Sequence, residues 1–497
     1  SSSNWPGYRV LFTTRYILGT LLPFGSVKYI YREAFRVWKD RYGEFADYGV
    51  DIFSGLHIFP CPTVVLWVAD AAAIKEITSQ HTRFQKPLKQ YNTLLFYGPN
   101  IVASEGSQWK RYKKICAPAF SEPNNRLVWS EAVRVMQDLF NDVWGAGETI
   151  SVDNVAEVTL QVTLYIISAA GFGEQTTWQD NKAGPQGFHR MTFKDALHVL
   201  STDVILKAIA PDWLLKYGPQ RLRKVGTAYE ELKAGIFQLY MTEMVRKRQD
   251  CDVKEERADL FTNLLDANDA DAEFTLDDSE LLGNIFIFLL AGHETSAHTL
   301  GFALGLLALY QNEQEVLYQH VQNVMHGKQT PDYEDMHALS HCLAFLYETL
   351  RLFPAAPNIP KVATEDTMLS TVDAAGETVT VPVPAGTPIV LHTPGLHYNP
   401  RYWPDPYTFK PSRFLDDWPR DAFIPFSGGH RSCIGRRFFE VEGVAILAML
   451  VSRYKIEVKD EPQFAGETFE QRQERVLRAR PGVTLTPVRV PLVFQRR

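Results

Sequence analysis

One cysteine in this chain stands in a setting that suits a metal ligand. In the stretch 426–435, Gly428 and Gly429 let the backbone turn tightly ahead of Cys433, and Gly435 removes a side chain just beyond it. The apolar run 441–451 reads as a following helix, which places Cys433 at a helix N-terminus. Unpaired N–H groups, the positive end of the helix dipole and the charge of Arg431 two residues earlier all favour a thiolate there. Such a sulfur binds iron well. A lone cysteine in an apolar chain is more often a small buried hydrophobe, so the ligand reading rests on the spacing of Phe426, Gly429, Arg431, Cys433 and Gly435.

A second group lies at 291–296, where Glu294 and Thr295 interrupt an otherwise apolar run at 281–292 that must be a deeply buried helix. Burying a carboxylate and a hydroxyl without partners costs several kcal/mol, so the pair either bonds locally or serves a reaction. Thr295 bonding back to the carbonyl four residues earlier is the local solution. Glu348 and Arg351 stand three apart on one helix face, and most such pairs are exposed and weak. Trp109 is followed four residues on by Lys113 in a basic stretch whose plain reading is a solvated helix face.

Taken in order, Trp109 and Lys113, the 291–295 segment, Glu348 with Arg351, Arg413 in 409–414, and the cysteine loop resemble the cytochrome P-450 superfamily from about residue 109 to the C-terminus. The resemblance implies a mainly α fold with small β-sheets. It also implies haem b between the long oxygen-activation helix and the helix after the cysteine loop, with the Cys433 thiolate as axial ligand. It implies that Ala291 and Gly292 let the helix pass close over the haem, that Thr295 hydrogen-bonds bound dioxygen, and that Glu294 relays protons. Phe426 and Gly435 belong to the haem loop. Trp109, Lys113, Arg431 and Lys361 would reach the propionates, with Lys113 standing where the family usually has arginine, so that bidentate geometry is lost. Glu348, Arg351 and Arg413 would form a structural triad, with Ser412 departing from the acidic residue often found there. Phe96 and Tyr97 would roof the substrate pocket, with Ala356 and Ile359 in its wall.

Cysteine ligation favours O–O bond cleavage, so the implied reaction is insertion of one oxygen atom from O2 into an apolar small molecule by hydroxylation or epoxidation. No flavin or iron–sulfur segment follows the haem loop. The resemblance supplies the electrons from NADPH through a separate flavoprotein reductase, docking on Lys110, Arg111, Lys114, Arg436 and Arg437. A haem-thiolate isomerase or dehydratase would lack the acid–alcohol pair, and a haem sensor would need neither that pair nor an apolar pocket.

The elements that position these groups can also be read. At 497 residues, 45% hydrophobic and 22% charged, the chain can bury a large core, and a net charge of -7 argues against a nucleic-acid partner. The absence of a Pro/Gly/Ser-rich linker suggests one unit. We expect residues 1–30 to be a membrane-proximal segment without its spanning anchor, since 10–24 is apolar enough to lie on a bilayer, and 31–497 to be a single haem-thiolate domain. Likeness to microsomal eukaryotic members, fungal ones among them, implies the cytoplasmic face of the endoplasmic reticulum membrane. A soluble bacterial member is the alternative. The five cysteines are scattered, which indicates neither a disulfide framework nor a zinc site. The pattern gives a strand at 64–68, mainly helix from 100 to 350, a capping box at Thr275 and Asp278, strands at 379–386 and 389–391, and an edge strand within 483–494 whose prolines exclude a central place.

Overall fold

The computed structural model of the chain describes residues 5–13, 30–31, 33–59, 61–175, 177–178, 190–203, 206–207, 210–249, 259–270 and 275–497. Most of the apolar stretch 10–24 and the middle of the charged stretch 244–278 lie outside the described residues. What is described is mainly helical with small sheets.

Six helices frame the site: α1 (Gly106–Cys116), α2 (Glu122–Asp138), α3 (Val155–Phe172), α4 (Asp278–Leu309), α5 (Ser340–Leu352) and α6 (Arg436–Arg453). α4 runs through the middle of the core and is hydrophobic on every face, as a helix enclosed on all sides must be. It packs on α3 and α5, and α6 packs on α2 and α5. The apolar run that predicted α4 ended at residue 292, yet the helix continues to Leu309 because 297–309 is also Ala-, Leu- and Gly-rich. Its capping box is formed by Asp277 and Glu280, correcting the Thr275 and Asp278 reading. The Asp277 side chain accepts from the Glu280 N–H at 2.8 Å, and Glu280 accepts from the Asp277 N–H at 3.2 Å. One described helix, α3, is long and apolar enough to cross a membrane, but most of it is buried against α4 and α2.

The largest sheet has six strands: β1 (Gly7–Val10), β2 (Ile52–His57), β3 (Thr63–Val68), β4 (Phe84–Gln85), β5 (Asn358–Ala363) and β6 (Pro388–His392). Their spatial order is β1-β2-β3-β6-β5-β4. Gly7–Val10 runs parallel to β2, so part of the segment expected to lie near a membrane is an edge strand of this sheet. At the other edge β4 pairs with β5, Phe84 opposite Ala363 and Gln85 opposite Val362. Near the C-terminus, Leu492–Arg496 is the central strand of a three-stranded sheet, between Tyr454–Val458 and Thr149–Val152. The edge placement expected from the prolines fails because Pro487 and Pro491 fall outside this strand, which keeps all its N–H donors.

Candidate active site

The loop carrying Cys433 is shaped by backbone. Gly429 has φ +61°, and a Cβ there would lie 2.1 Å from the Thr78 carbonyl oxygen, so only glycine fits. The Cys433 N–H donates to the Phe426 carbonyl at 2.8 Å and closes the loop. α6 starts at Arg436 with Gly435 at its cap, so Cys433 stands two residues ahead of the cap. Burial pushes the Cys433 thiol up from its ordinary value, with the Gly435 N–H and Arg436 opposing the shift. This corrects the expectation of a thiolate favoured by the protein alone. Arg431 turns away from the sulfur, with its guanidinium 4.2 Å over the Trp109 ring, ion-paired to Glu105 at 2.7 Å and hydrogen-bonded to the Ser104 carbonyl. The exposed part of Cys433 faces a cavity, while protein surrounds it on its other sides.

That cavity measures about 350 Å³ and lies between the cysteine loop and α4. Ala291, Gly292 and Thr295 line it from α4, Phe426, Arg431, Cys433 and Gly435 from the loop, Trp109 and Lys113 from α1, and Ala356 and Ile359 from the segment after α5. A Cβ on Gly292 would meet Ile167 Cδ1 at 3.2 Å, so this glycine also allows the close packing of α3 on α4. The Thr295 hydroxyl donates to the Ala291 carbonyl at 2.7 Å and, only partly buried, still faces the cavity. Glu294 is buried but outside the lining, since neighbouring positions on a helix point about 100° apart.

Phe96 and Tyr97 do not line the cavity. The Tyr97 hydroxyl donates to the Tyr229 carbonyl at 2.9 Å and its ring packs on Tyr229 and Phe286, while the Phe96 ring stands edge-on to Tyr229. These aromatics are core, and the apolar lining comes instead from Ile101, Val102, Phe120, Ile287 and Phe288. Sequence reasoning missed these residues because nothing separates a cavity-facing Ile or Phe from a packed one in one dimension. It also missed Lys86, His430, Ser296 and Thr299.

Positive charge gathers at one end. Lys113 donates to the His430 carbonyl at 3.1 Å. Lys361 is buried on β5 outside the lining, its ammonium pKa pushed down by burial. Burial outweighs Glu105 in lowering the Arg431 pKa as well. A group with two carboxylates would reverse these costs, and a planar apolar body suits the walls. The residues present therefore fit haem: a cysteine sulfur facing the cavity, cations at its edge and small residues on α4 opposite.

The buried Arg351 guanidinium meets Glu348 through two hydrogen bonds of 2.7 and 2.8 Å, and donates to the carbonyls of His397, Pro406 and Thr408. Arg413 Nε stands 3.5 Å from Glu348, a charge contact without hydrogen-bond alignment, and its terminal nitrogen donates to the Asp405 carbonyl. The irregular chain at 397–413 is thus pinned to α5. Of the expected docking patch, Arg111 is drawn to Glu280 and the Thr275 carbonyl, and Arg436 and Arg437 pair with Glu440, while Lys110 is exposed.

Comparison with known proteins agrees with this arrangement. The cytochrome P-450 family model matches residues 14–484. The chain is 51% identical to cytochrome P-450 monooxygenase 124 of Postia placenta, over 99% of this chain and 94% of that one. It is 29% identical to cytochrome P-450 monooxygenase AOL_s00215g278 of Arthrobotrys oligospora, over 84% of this chain and 80% of that one. The crystal structure of the cytochrome P-450DA heme domain superposes with a TM-score of 0.76 at 20% identity, covering 99% of this chain and 98% of that one. With Cys433 facing the cavity that α4 closes from the other side, the chain belongs to the cytochrome P-450 family of monooxygenases.

Proposed function

We propose that the protein inserts one oxygen atom from O2 into an apolar organic molecule at the cavity beneath α4, with electrons from NADPH delivered by a separate flavoprotein reductase. The observation that carries this reading is the sharing of one largely apolar cavity by Cys433, Thr295 and the cations Lys113 and Arg431. When bound, thiolate-ligated haem supplies the reductive activation of dioxygen. Trp109, Lys113 and Arg431, which line the cavity, would hold its carboxylates, with Lys361 behind the wall adding positive charge. Ile101, Val102, Ile287, Phe288, Ala356 and Ile359 orient an apolar guest and keep water from it, and they offer few polar groups by which to select among guests.

Thr295 holds a proton on Oγ1 at the cavity surface, parked on the Ala291 carbonyl, and turning its side chain presents that proton to the guest space. Glu294, behind the wall, is the proton source for this hydroxyl. The reductase docks near Lys110 and Lys114, both of which are exposed on α1. Attachment to the endoplasmic reticulum membrane is supported by exposed apolar side chains: Leu11, Ile58 and Phe59 at the β1–β2 edge, and Trp213 and Tyr217 one helical turn apart. Residues 1–30 are the membrane-proximal part, joined through the edge strand Gly7–Val10 to the sheet of the catalytic domain that residues 31–497 form.

The test is a reduced, carbon-monoxide difference spectrum of wild type and Cys433→Ser, followed by turnover of an apolar substrate panel with NADPH and a fungal reductase. A thiolate-type band lost in the variant, and product that requires NADPH and reductase, support the reading. A nitrogen-ligated or haem-free wild-type protein overturns it.

A further inference from the structure

Lys86 is a lysine in the wall of an apolar cavity that the assignments above leave without a purpose. It follows directly on β4. The β4–β5 register, Phe84 to Ala363 and Gln85 to Val362, ends immediately before Lys86 and Lys361, so the sheet edge brings two ammonium groups to the same end of the site. Among the described residues, the Lys86 ammonium makes one hydrogen bond, to the Val102 carbonyl at 2.9 Å, and stands 5.0 Å from the centre of the Tyr91 ring.

The charged groups that act on it are Arg431 and Lys361, both repulsive, and Glu105. Glu105 is already engaged, 2.7 Å from Arg431 and accepting from the Lys86 backbone N–H at 3.0 Å. A partly buried cation in an apolar wall beside two others is costly unless an anion joins it. Burial first, then the charges of Arg431 and Lys361, push the Lys86 ammonium down to about 7.

Building on the haem-thiolate reading, we propose that Lys86 Nζ is a carboxylate-binding site of this cavity. Two carboxylates have the required chemistry: a porphyrin propionate, additional to its contacts with Trp109, Lys113 and Arg431, or the carboxylate of an otherwise apolar substrate.

The test uses the haem-loaded enzyme as wild type, Lys86→Met and Lys86→Arg. One arm follows the spin-state shift of the Soret band on titration with a linear and an aromatic apolar acid, each beside its methyl ester. A charge-assisted contact makes the acid bind about tenfold or more tighter than its ester in wild type. That preference disappears in Lys86→Met and returns in Lys86→Arg if the substrate supplies the carboxylate. In wild type it also weakens from about pH 6 to about pH 9 as the amine loses its proton. The other arm follows haem transfer to excess apomyoglobin. Loss several-fold faster from Lys86→Met, restored by Lys86→Arg, assigns the propionate. A folded Lys86→Met that purifies without haem, while Lys86→Arg retains it, makes the same assignment. Unchanged acid preference and unchanged haem loss in Lys86→Met overturn the proposal, and Lys86→Gln is read in both arms in its place should that variant fail to fold. A wild type lacking the thiolate-type band is a different failure, that of the haem-thiolate reading itself.

Discussion

The Arg431 guanidinium sits 4.2 Å over the Trp109 ring, so the cysteine loop and α1 are joined through a cation held on an aromatic face. Glu105, just ahead of α1, ties the same guanidinium from another side at 2.7 Å. Arg431→Leu leaves Glu105 as a poorly compensated charge, and we expect a stability loss of about 3 kcal/mol or more together with lowered haem content. Trp109→Phe keeps a ring under the guanidinium and costs about 1 kcal/mol or less. Denaturant midpoints and pyridine haemochrome assays compare the two.

Thr295→Ala removes the one hydroxyl that α4 shares between the Ala291 carbonyl and the cavity. NADPH is still consumed, but product per NADPH falls about tenfold or more and the electrons appear as peroxide or water. Thr295→Ser restores much of the coupling. Normal coupling in Thr295→Ala removes the relay role.

Glu348 and Arg351 are fully buried, and each completes the other's hydrogen bonding. Glu348→Gln strips the charge from one partner and leaves a guanidinium in the core, at a cost of about 3–5 kcal/mol. Chemical denaturation reads this as a lower midpoint. A change below about 1 kcal/mol would show that the three carbonyls on Arg351 suffice.

These pairings differ in how far the chain itself announces them. The Glu348 and Arg351 contact is legible because three residues apart on a helix is one face, whereas its burial depends on residues 397–409 folding over it. The roof assigned to Phe96 and Tyr97 went astray because aromatic content does not distinguish a ring turned to Tyr229 from one turned to a ligand. Arg111 looked like a docking residue within a basic run, but its partner Glu280 lies 169 positions away on α4. Lys86 had no local signature, since only the pairing of β4 with β5 brings it beside Lys361. The misplaced capping box shows the reverse limit: Thr275 and Asp278 have the right types and spacing, and so do Asp277 and Glu280 two residues later.

Glu442 on α6 predicts a pH effect. It is fully buried, its two oxygens make no well-aligned hydrogen bond among the described residues, and burial raises its pKa from 4.5 to about 8, with the nearby Ser296 hydroxyl only partly opposing. The folded state therefore binds a proton that the unfolded chain has already released. The penalty is absent below pH 4.5, grows as pH rises, and is complete above about 8. Glu442→Gln, which cannot ionise, should gain on wild type across that window by an amount on the order of a few kcal/mol. Parallel stability–pH curves for the two proteins would exclude this.

Gly429→Ala forces a side chain into a left-handed backbone position and against the Thr78 carbonyl. The loop must move, and Cys433 with it. We expect protein with little or no haem, while Gly466→Ala, also at positive φ but with open space around it, remains loaded and loses about 1 kcal/mol. The Soret-to-protein absorbance ratio distinguishes them.

The parallel pairing of Gly7–Val10 with β2 has a mechanical consequence. Any tension applied through the residues ahead of Gly7 loads that strand's ladder along its length, where several hydrogen bonds resist together. Four strands away in the same sheet lies Lys361 on β5, next to the far edge strand β4. An anchored N-terminus would therefore hold the whole sheet, and with it the cationic rim of the cavity, at a set angle to whatever it is anchored to.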